Sequence, residues 1–254
     1  MLKVFKFGGA SVKDAAAVKN AASIIKQFAN DNLLIVVSAM GKTTNNLERL
    51  VNAYFDDRDN LQTIFDELKA FHFDIVSVLF KDKSSTVYAQ LENDFVELLW
   101  AIEDEPSFAY NHHYDQIVSM GEIFSSRIVS AYFKENGNDC LWLDARGIIQ
   151  TDNTYREGKV DFDLTQQLAE KELLPLLKQH KIILTQGFIG GTSENFTTTL
   201  GREGSDYTAA ILAYSTNAES VTIWKEVPGG LNADPKWFSN THKIDELTYQ
   251  DAIE

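Results

Sequence analysis

An α/β fold, built from βαβ units around a largely parallel sheet, is predicted by three observations. Short runs rich in β-branched and aromatic residues alternate with longer segments of helical period along the chain. Three of the short runs pass directly into glycine- and hydroxyl-rich turns. The composition, 44% hydrophobic and 24% charged over 254 residues, suits one large domain, or one and a half ordinary ones, with a substantial core.

The first predicted strand covers 2–7, and alternation puts Lys6 on the same face as Leu2 and Val4. The turn Gly8-Gly9-Ala10-Ser11 leads into helical period over 14–28. A second strand, 33–38, is almost wholly apolar, as expected when helices cover both faces of a sheet. It runs into Ala39-Met40-Gly41-Lys42-Thr43-Thr44, after which helical period covers 44–55, 60–80, 87–102 and 115–133. Further strands are predicted at 139–144, 182–188 and 220–224, with helices at 162–177 and 204–214. The acidic runs at 56–59 and 103–105 fall at helix ends and read as solvated surface. The segment 244–254 has a helical pattern yet ends with no Gly or Asn cap, which leads us to expect a longer parent chain.

Charge and composition exclude several classes. The net charge of -14 opposes binding along a nucleic-acid backbone. No apolar run is long enough for a membrane span, no signal-peptide core follows Met1, and the single Cys140 has no intramolecular partner, so a reducing cytoplasmic setting is expected. Gly41-Lys42-Thr43 imitates the end of a P-loop, but Val36 stands where that motif needs its first glycine. Gly187, Gly190 and Gly191 lack the dinucleotide-binding spacing, which argues against a nicotinamide cofactor.

What remains is a local anion site. Turns at the carboxyl edge of a parallel sheet lie where helix N-termini aim free N–H groups, and glycine lets backbone amides reach phosphate oxygens. The alternative is that these glycines only turn the chain. Lys6, near the end of a covered strand, needs an anion unless its stem snorkels to solvent. The stretch Thr197-Thr198-Thr199-Leu200-Gly201-Arg202-Glu203-Gly204-Ser205-Asp206 places an Arg, a Ser and an Asp just before an Ala-rich helix. Arg202 is able to grip a carboxylate through two N–H groups. Asp206 is either functional or an ordinary first-turn residue.

These residues carry a resemblance. The segments K-F-G-G-A-S at 6–11, V-S-A-M-G-K-T-T-N at 37–45, S-M-G-E at 119–122, G-F-I-G at 187–190, T-T-T-L-G-R-E-G-S-D-Y-T-A-A at 197–210 and I-W-K-E-V-P-G-G-L-N-A-D-P-K at 223–236 follow in order along the chain. In them the sequence resembles the aspartate kinases of the amino acid kinase family. The resemblance implies a three-layer α-β-α sandwich, with 1–254 as a catalytic domain cut short before paired regulatory ACT domains. It also implies ATP with Mg²⁺, and transfer of the γ-phosphoryl group to the side-chain carboxylate of L-aspartate, the entry step toward lysine, threonine and methionine. Carried over residue by residue, Lys6, Gly8 and Gly9 hold the moving phosphoryl group and Asp206 orients the lysine. Ser38, Thr44, Glu122, Arg202 and Ser205 belong to the substrate side. Ser11, Lys225, Glu226, Leu231 and Lys236 belong to the nucleotide side, and a homodimer is typical. An idle, exposed Glu122 is the alternative for that residue.

The sequence also departs from the pattern. Ala10 replaces a usual Thr, Glu203 a common Gly, Lys225-Glu226 a frequent Thr-Asp, and Leu231 a frequent Tyr. Rival expectations are a relative acting on another acid or on a nucleoside monophosphate, and a silent amino-acid-binding module.

Overall fold

A computed structural model describes residues 1–225 and 229–248. They divide into two compact units, Met1–Trp224 and the described residues from Lys225 onward. In the first unit, strands β1 (Leu2–Phe7), β2 (Asn32–Val37), β3 (Cys140–Trp142) and β4 (Ile182–Gln186) precede a short pair, β5 (Ile189–Gly191) and β6 (Thr197–Thr199), and β7 (Ser220–Trp224) closes the series. The helices are α1 (Ala15–Lys26), α2 (Thr43–Asp56), α3 (Arg58–Leu79), α4 (Thr86–Glu103), α5 (Tyr110–Val118), α6 (Met120–Glu135), α7 (Phe162–Leu168), α8 (Leu174–Gln179) and α9 (Gly204–Thr216). The central sheet has the order β3-β4-β2-β1-β7, and every neighbouring pair in it is parallel.

The near-continuous apolar strands β1, β2 and β4 bury both faces, as a helix-covered parallel sheet requires, whereas β7 at the sheet edge is largely exposed. On one face Phe5, Phe7, Leu33, Ile35, Val37 and Leu184 pack with the buried sides of α1 to α6. On the other, Val4, Leu34, Val36 and Ile183 meet Ala209, Ile211 and Leu212 of α9 and Leu177 of α8. These layers make the α-β-α sandwich. Asp14, placed inside the first predicted helix, is instead its cap, accepting a hydrogen bond from the Ala17 N–H at 2.8 Å. Among the described residues no helix is long and apolar enough to cross a membrane.

Within the first unit the structure departs from the predicted elements at three places. The helix predicted at 115–133 is two helices, α5 from Tyr110 and α6 from Met120, meeting at Ser119. The helix predicted at 162–177 is α7 and α8 joined by a π-helical turn, Ala169–Leu173. Pro175 has no N–H to give the carbonyl four residues back, and the ladder widens just ahead of it. The β5–β6 antiparallel pair was not predicted, because three-residue strands of Ile-Gly-Gly and Thr-Thr-Thr show no alternation.

The second unit is a small loop structure. Leu231 bridges Lys243, and Asn232 and His242 exchange two hydrogen bonds, the Asn232 N–H donating to the His242 carbonyl and the His242 N–H to Asn232 Oδ1. Residues 244–248 are not helical, so that part of the predicted terminal helix is absent, and 249–254 lie outside the described residues.

Candidate active site

Register assembles the site. Phe7 pairs with Val37, and Val37 with Gln186, so the turns after β1, β2 and β4 emerge side by side at one sheet edge. The Ser38 N–H donates to the Phe7 carbonyl at 3.1 Å, the Gly41 N–H to Gly9 at 3.0 Å, and the Gly187 N–H to Val37 at 2.9 Å. Two glycines permit this closeness. A methyl group on Gly9 would stand 2.7 Å from the Ala39 carbonyl oxygen, and one on Gly187 would stand 2.6 Å from Ser205 Cβ. Gly9→Ala is therefore expected to push the first two turns apart and cost about 1–3 kcal/mol, read as a lower denaturation midpoint; an unchanged midpoint would show that the turns yield freely.

Between the turns lies a cavity of about 300 Å³ lined by Lys6, Gly9, Ser38, Thr44, Glu122, Ser205 and Asp206, with Ala39, Gly41, Phe188, Gly201, Glu203 and Gly204 completing its walls. Lys6 sits on the face of β1 that carries Val4 and is only 6% exposed. Its ammonium meets Asp206 Oδ1, in the first turn of α9, at 2.6 Å. The snorkelling alternative for Lys6 is thereby excluded, and Asp206 does more than begin a helix. Gly8 lies against the lysine, since a methyl group there would touch Nζ at 3.7 Å. The chain enters α9 through Gly201 at φ 74° and Glu203 at φ 56°, which swing the helix N-terminus toward the cavity wall.

Glu122 occupies the first turn of α6 and is 3% exposed. One carboxyl oxygen accepts from the Ala39 N–H at 3.2 Å, and the other has no hydrogen-bond partner. Burial pushes this carboxyl up to about 8, against the pull of the Ala39 amide and the positive charge of Lys6. The idle, exposed glutamate is ruled out. A buried acid with one unsatisfied oxygen has the chemistry to receive a small cation such as an ammonium, giving up its proton as it does so.

Arg202 does not line this cavity. It is exposed and borders a neighbouring one of about 580 Å³, which shares Phe188 and Gly201 with the first. The Ser11 hydroxyl donates to the Trp224 carbonyl at 3.1 Å. Lys225, Leu231 and Lys236 belong to the second unit, and Glu226 lies outside the described residues. Phe188 and the Ala39 amide were missed at the sequence level, because neither a backbone N–H nor an uncharged ring carries a chemical signature. The signal available for Phe188 was its place between Gly187 and Ile189 in a turn where the structure holds it at φ 70°.

Among the described residues no group of three or more His, Cys, Asp or Glu side chains converges on a metal-sized space.

The model of the amino acid kinase family matches residues 1–254. The chain is 32% identical to the lysine-sensitive aspartokinase 3 of Escherichia coli (strain K12) over 252 residues, 99% of this chain and 55% of that protein. It is 34% identical over 257 residues to the chloroplastic bifunctional aspartokinase/homoserine dehydrogenase 1 of Arabidopsis thaliana, 99% of this chain and 28% of that protein. The crystal structure of E. coli aspartokinase III in complex with aspartate and ADP matches with a TM-score of 0.87 at 32% identity, covering 96% of this chain and 54% of that one. The chain thus spans about half the length of the E. coli relative.

Proposed function

The chain belongs to the amino acid kinase family, and from that premise we propose that it transfers the γ-phosphoryl group of ATP to the side-chain carboxylate of L-aspartate, yielding 4-phospho-L-aspartate and ADP. The observation that carries the reading is one cavity holding the Lys6–Asp206 pair at 2.6 Å beside Glu122, a buried carboxylate with an unpartnered oxygen. A phosphoryl donor needs a fixed cation, and an amino acid needs a fixed anion for its ammonium. That the relatives are named as aspartokinases supports aspartate as the acceptor.

The acceptor carboxylate, with an ordinary pKa near 4, is already ionised at pH 7, so the reaction requires no general base. Catalysis is then positioning and charge neutralisation. Lys6 faces the oxygens of the moving group, and Asp206 holds Lys6 in place. Gly8 and Gly9 offer backbone amides without a side chain in the way, and Ser205 adds the N-terminal end of α9. Ser38 and Thr44 supply hydroxyl groups on the substrate side, Glu122 receives the ammonium, and Arg202, at the border, takes a carboxylate. Mg²⁺ arriving with the nucleotide would neutralise phosphate charge. Ser11, Lys225, Glu226, Leu231 and Lys236 are assigned to the nucleotide on the family pattern.

Trapping the acyl phosphate with hydroxylamine tests the reading. ATP with L-aspartate is expected to give aspartyl hydroxamate, whereas L-glutamate, N-acetylglutamate and uridine monophosphate give no matching ADP release. Calorimetric binding of aspartate and ATP without hydroxamate would mark a silent binding module instead, and preference for another acceptor would reassign the substrate.

A further inference from the structure

Arg156 is the residue outside the Lys6 cavity that local folding does not explain. Its backbone lies at φ 72°, a region natural to glycine and costly to a residue with a side chain. The conformation is imposed by the main chain. The Arg156 N–H donates to Asp115 Oδ2 at 2.8 Å, while the same carboxylate accepts from the Thr199 N–H at 2.9 Å and the Thr199 hydroxyl at 2.7 Å. Glycine at 156 would make that backbone bond equally well and without strain. The arginine side chain is therefore surplus to the loop's own needs.

Its guanidinium rests 4.3 Å from the centre of the Tyr114 ring, and that ring is itself anchored by a hydrogen bond from its hydroxyl to Glu48 at 2.6 Å. In a chain with 37 acidic and 23 basic residues, Arg156 forms no ion pair among the described residues, and neither does Arg202. Both arginines line the 580 Å³ cavity that borders the Lys6 cavity along Phe188 and Gly201; Glu157 is the carboxylate residue in its wall. Arg156 is stacked on Tyr114 and its charge bears on Asp115, yet neither arginine has an ion pair among the described residues, and two guanidinium groups in one cavity suit a single carboxylate that accepts paired N–H bonds from each fork.

We propose that Arg156, together with Arg202, clasps the α-carboxylate of the acceptor, so that the amino acid lies across the Phe188–Gly201 border with its side-chain carboxylate toward Lys6. The inference rests on the aspartate reading above and deepens it: the site demands a dicarboxylic acceptor, and part of that demand comes from a residue kept in a glycine-like conformation.

The test compares L-aspartate with β-alanine, which keeps the amine and the reacting carboxylate but lacks the α-carboxylate. Dissociation constants would be titrated by calorimetry for the wild-type chain, Arg156→Gly and Arg156→Lys. Arg156→Gly is expected to bind L-aspartate about tenfold or more weakly, to leave β-alanine unchanged, and to melt at or above the wild-type temperature. Arg156→Lys, with the charge but not the fork, should fall between. L-Aspartate affinity within twofold of wild type in Arg156→Gly, or a parallel loss for both ligands with a lower melting temperature, would overturn the role. If β-alanine binds too weakly to titrate, the aspartate constant and the melting temperature decide by the same criteria. A wild-type chain that binds ATP but no L-aspartate overturns the aspartate reading and this inference with it, a result distinct from failure of the arginine alone.

Discussion

Lys6→Met is expected to abolish phosphoryl transfer while leaving the fold in place. Methionine has nearly the length of the lysine stem and suits a position that shares its sheet face with Val4 and is almost wholly buried. The substitution removes the ammonium 2.6 Å from Asp206. Since Asp206 keeps some contact with solvent, the stability penalty should be well below that of a fully buried broken pair. The kinetic penalty is larger. Removing one preorganised group that stabilises transition-state charge costs on the order of 10²- to 10³-fold in kcat, about 3–4 kcal/mol. Asp206→Asn should act in the same direction but less severely, because the charge stays and only its placement loosens. Hydroxamate formation at saturating ATP and aspartate, alongside a circular-dichroism melt, checks both. Near-normal turnover in Lys6→Met would remove this lysine from the mechanism.

Glu122→Gln should lose aspartate binding and gain stability at alkaline pH. The folded carboxyl titrates near 8, whereas the ordinary value is 4.5. Between those values the folded chain holds a proton that the unfolded chain has released. The ligand-free protein therefore has the full benefit below about pH 4.5 and loses it as pH rises through 8, at up to about 1.4 kcal/mol per pH unit. Glutamine keeps the shape and the acceptor for the Ala39 N–H but does not ionise, so the variant's stability should be flatter across that window and higher than wild type at pH 8. The price is recognition: an amide has no charge to offer an ammonium, and affinity for L-aspartate should fall about a hundredfold. Binding at pH 7 should also release protons in the wild type and not in the variant, visible as a buffer-dependent heat in calorimetry. Equal proton release from both chains would show that Glu122 is not the group that ionises.

The two substitutions test different halves of one cavity, and the sequence made one half far more legible than the other. Lys6 was readable because strand alternation assigns it a face and because a covered strand leaves an ammonium few places to go. Gly8, Gly9 and Gly187 were readable as turns where backbone must come close. Glu122 was less so. Its burial depends on the Ala39 turn, 83 residues away in the chain, folding over the start of α6, and no helical period contains that information. Arg156 was invisible for the same reason: its singularity is a backbone angle set by Asp115, 41 residues earlier.

The sequence by itself determined the α/β class, the three turns at one sheet edge, and the residue types gathered there, because these follow from local periodicity and from what glycine, lysine and a helix N-terminus each permit. Only the tertiary structure decided that Lys6 pairs with Asp206, that Glu122 is desolvated, and that Arg202 faces a separate cavity in company with Arg156. The first two are contacts between distant segments whose energy depends on exclusion of water, which arises only when the layers close, and the third is a placement of two exposed side chains that the path of the distant loops sets.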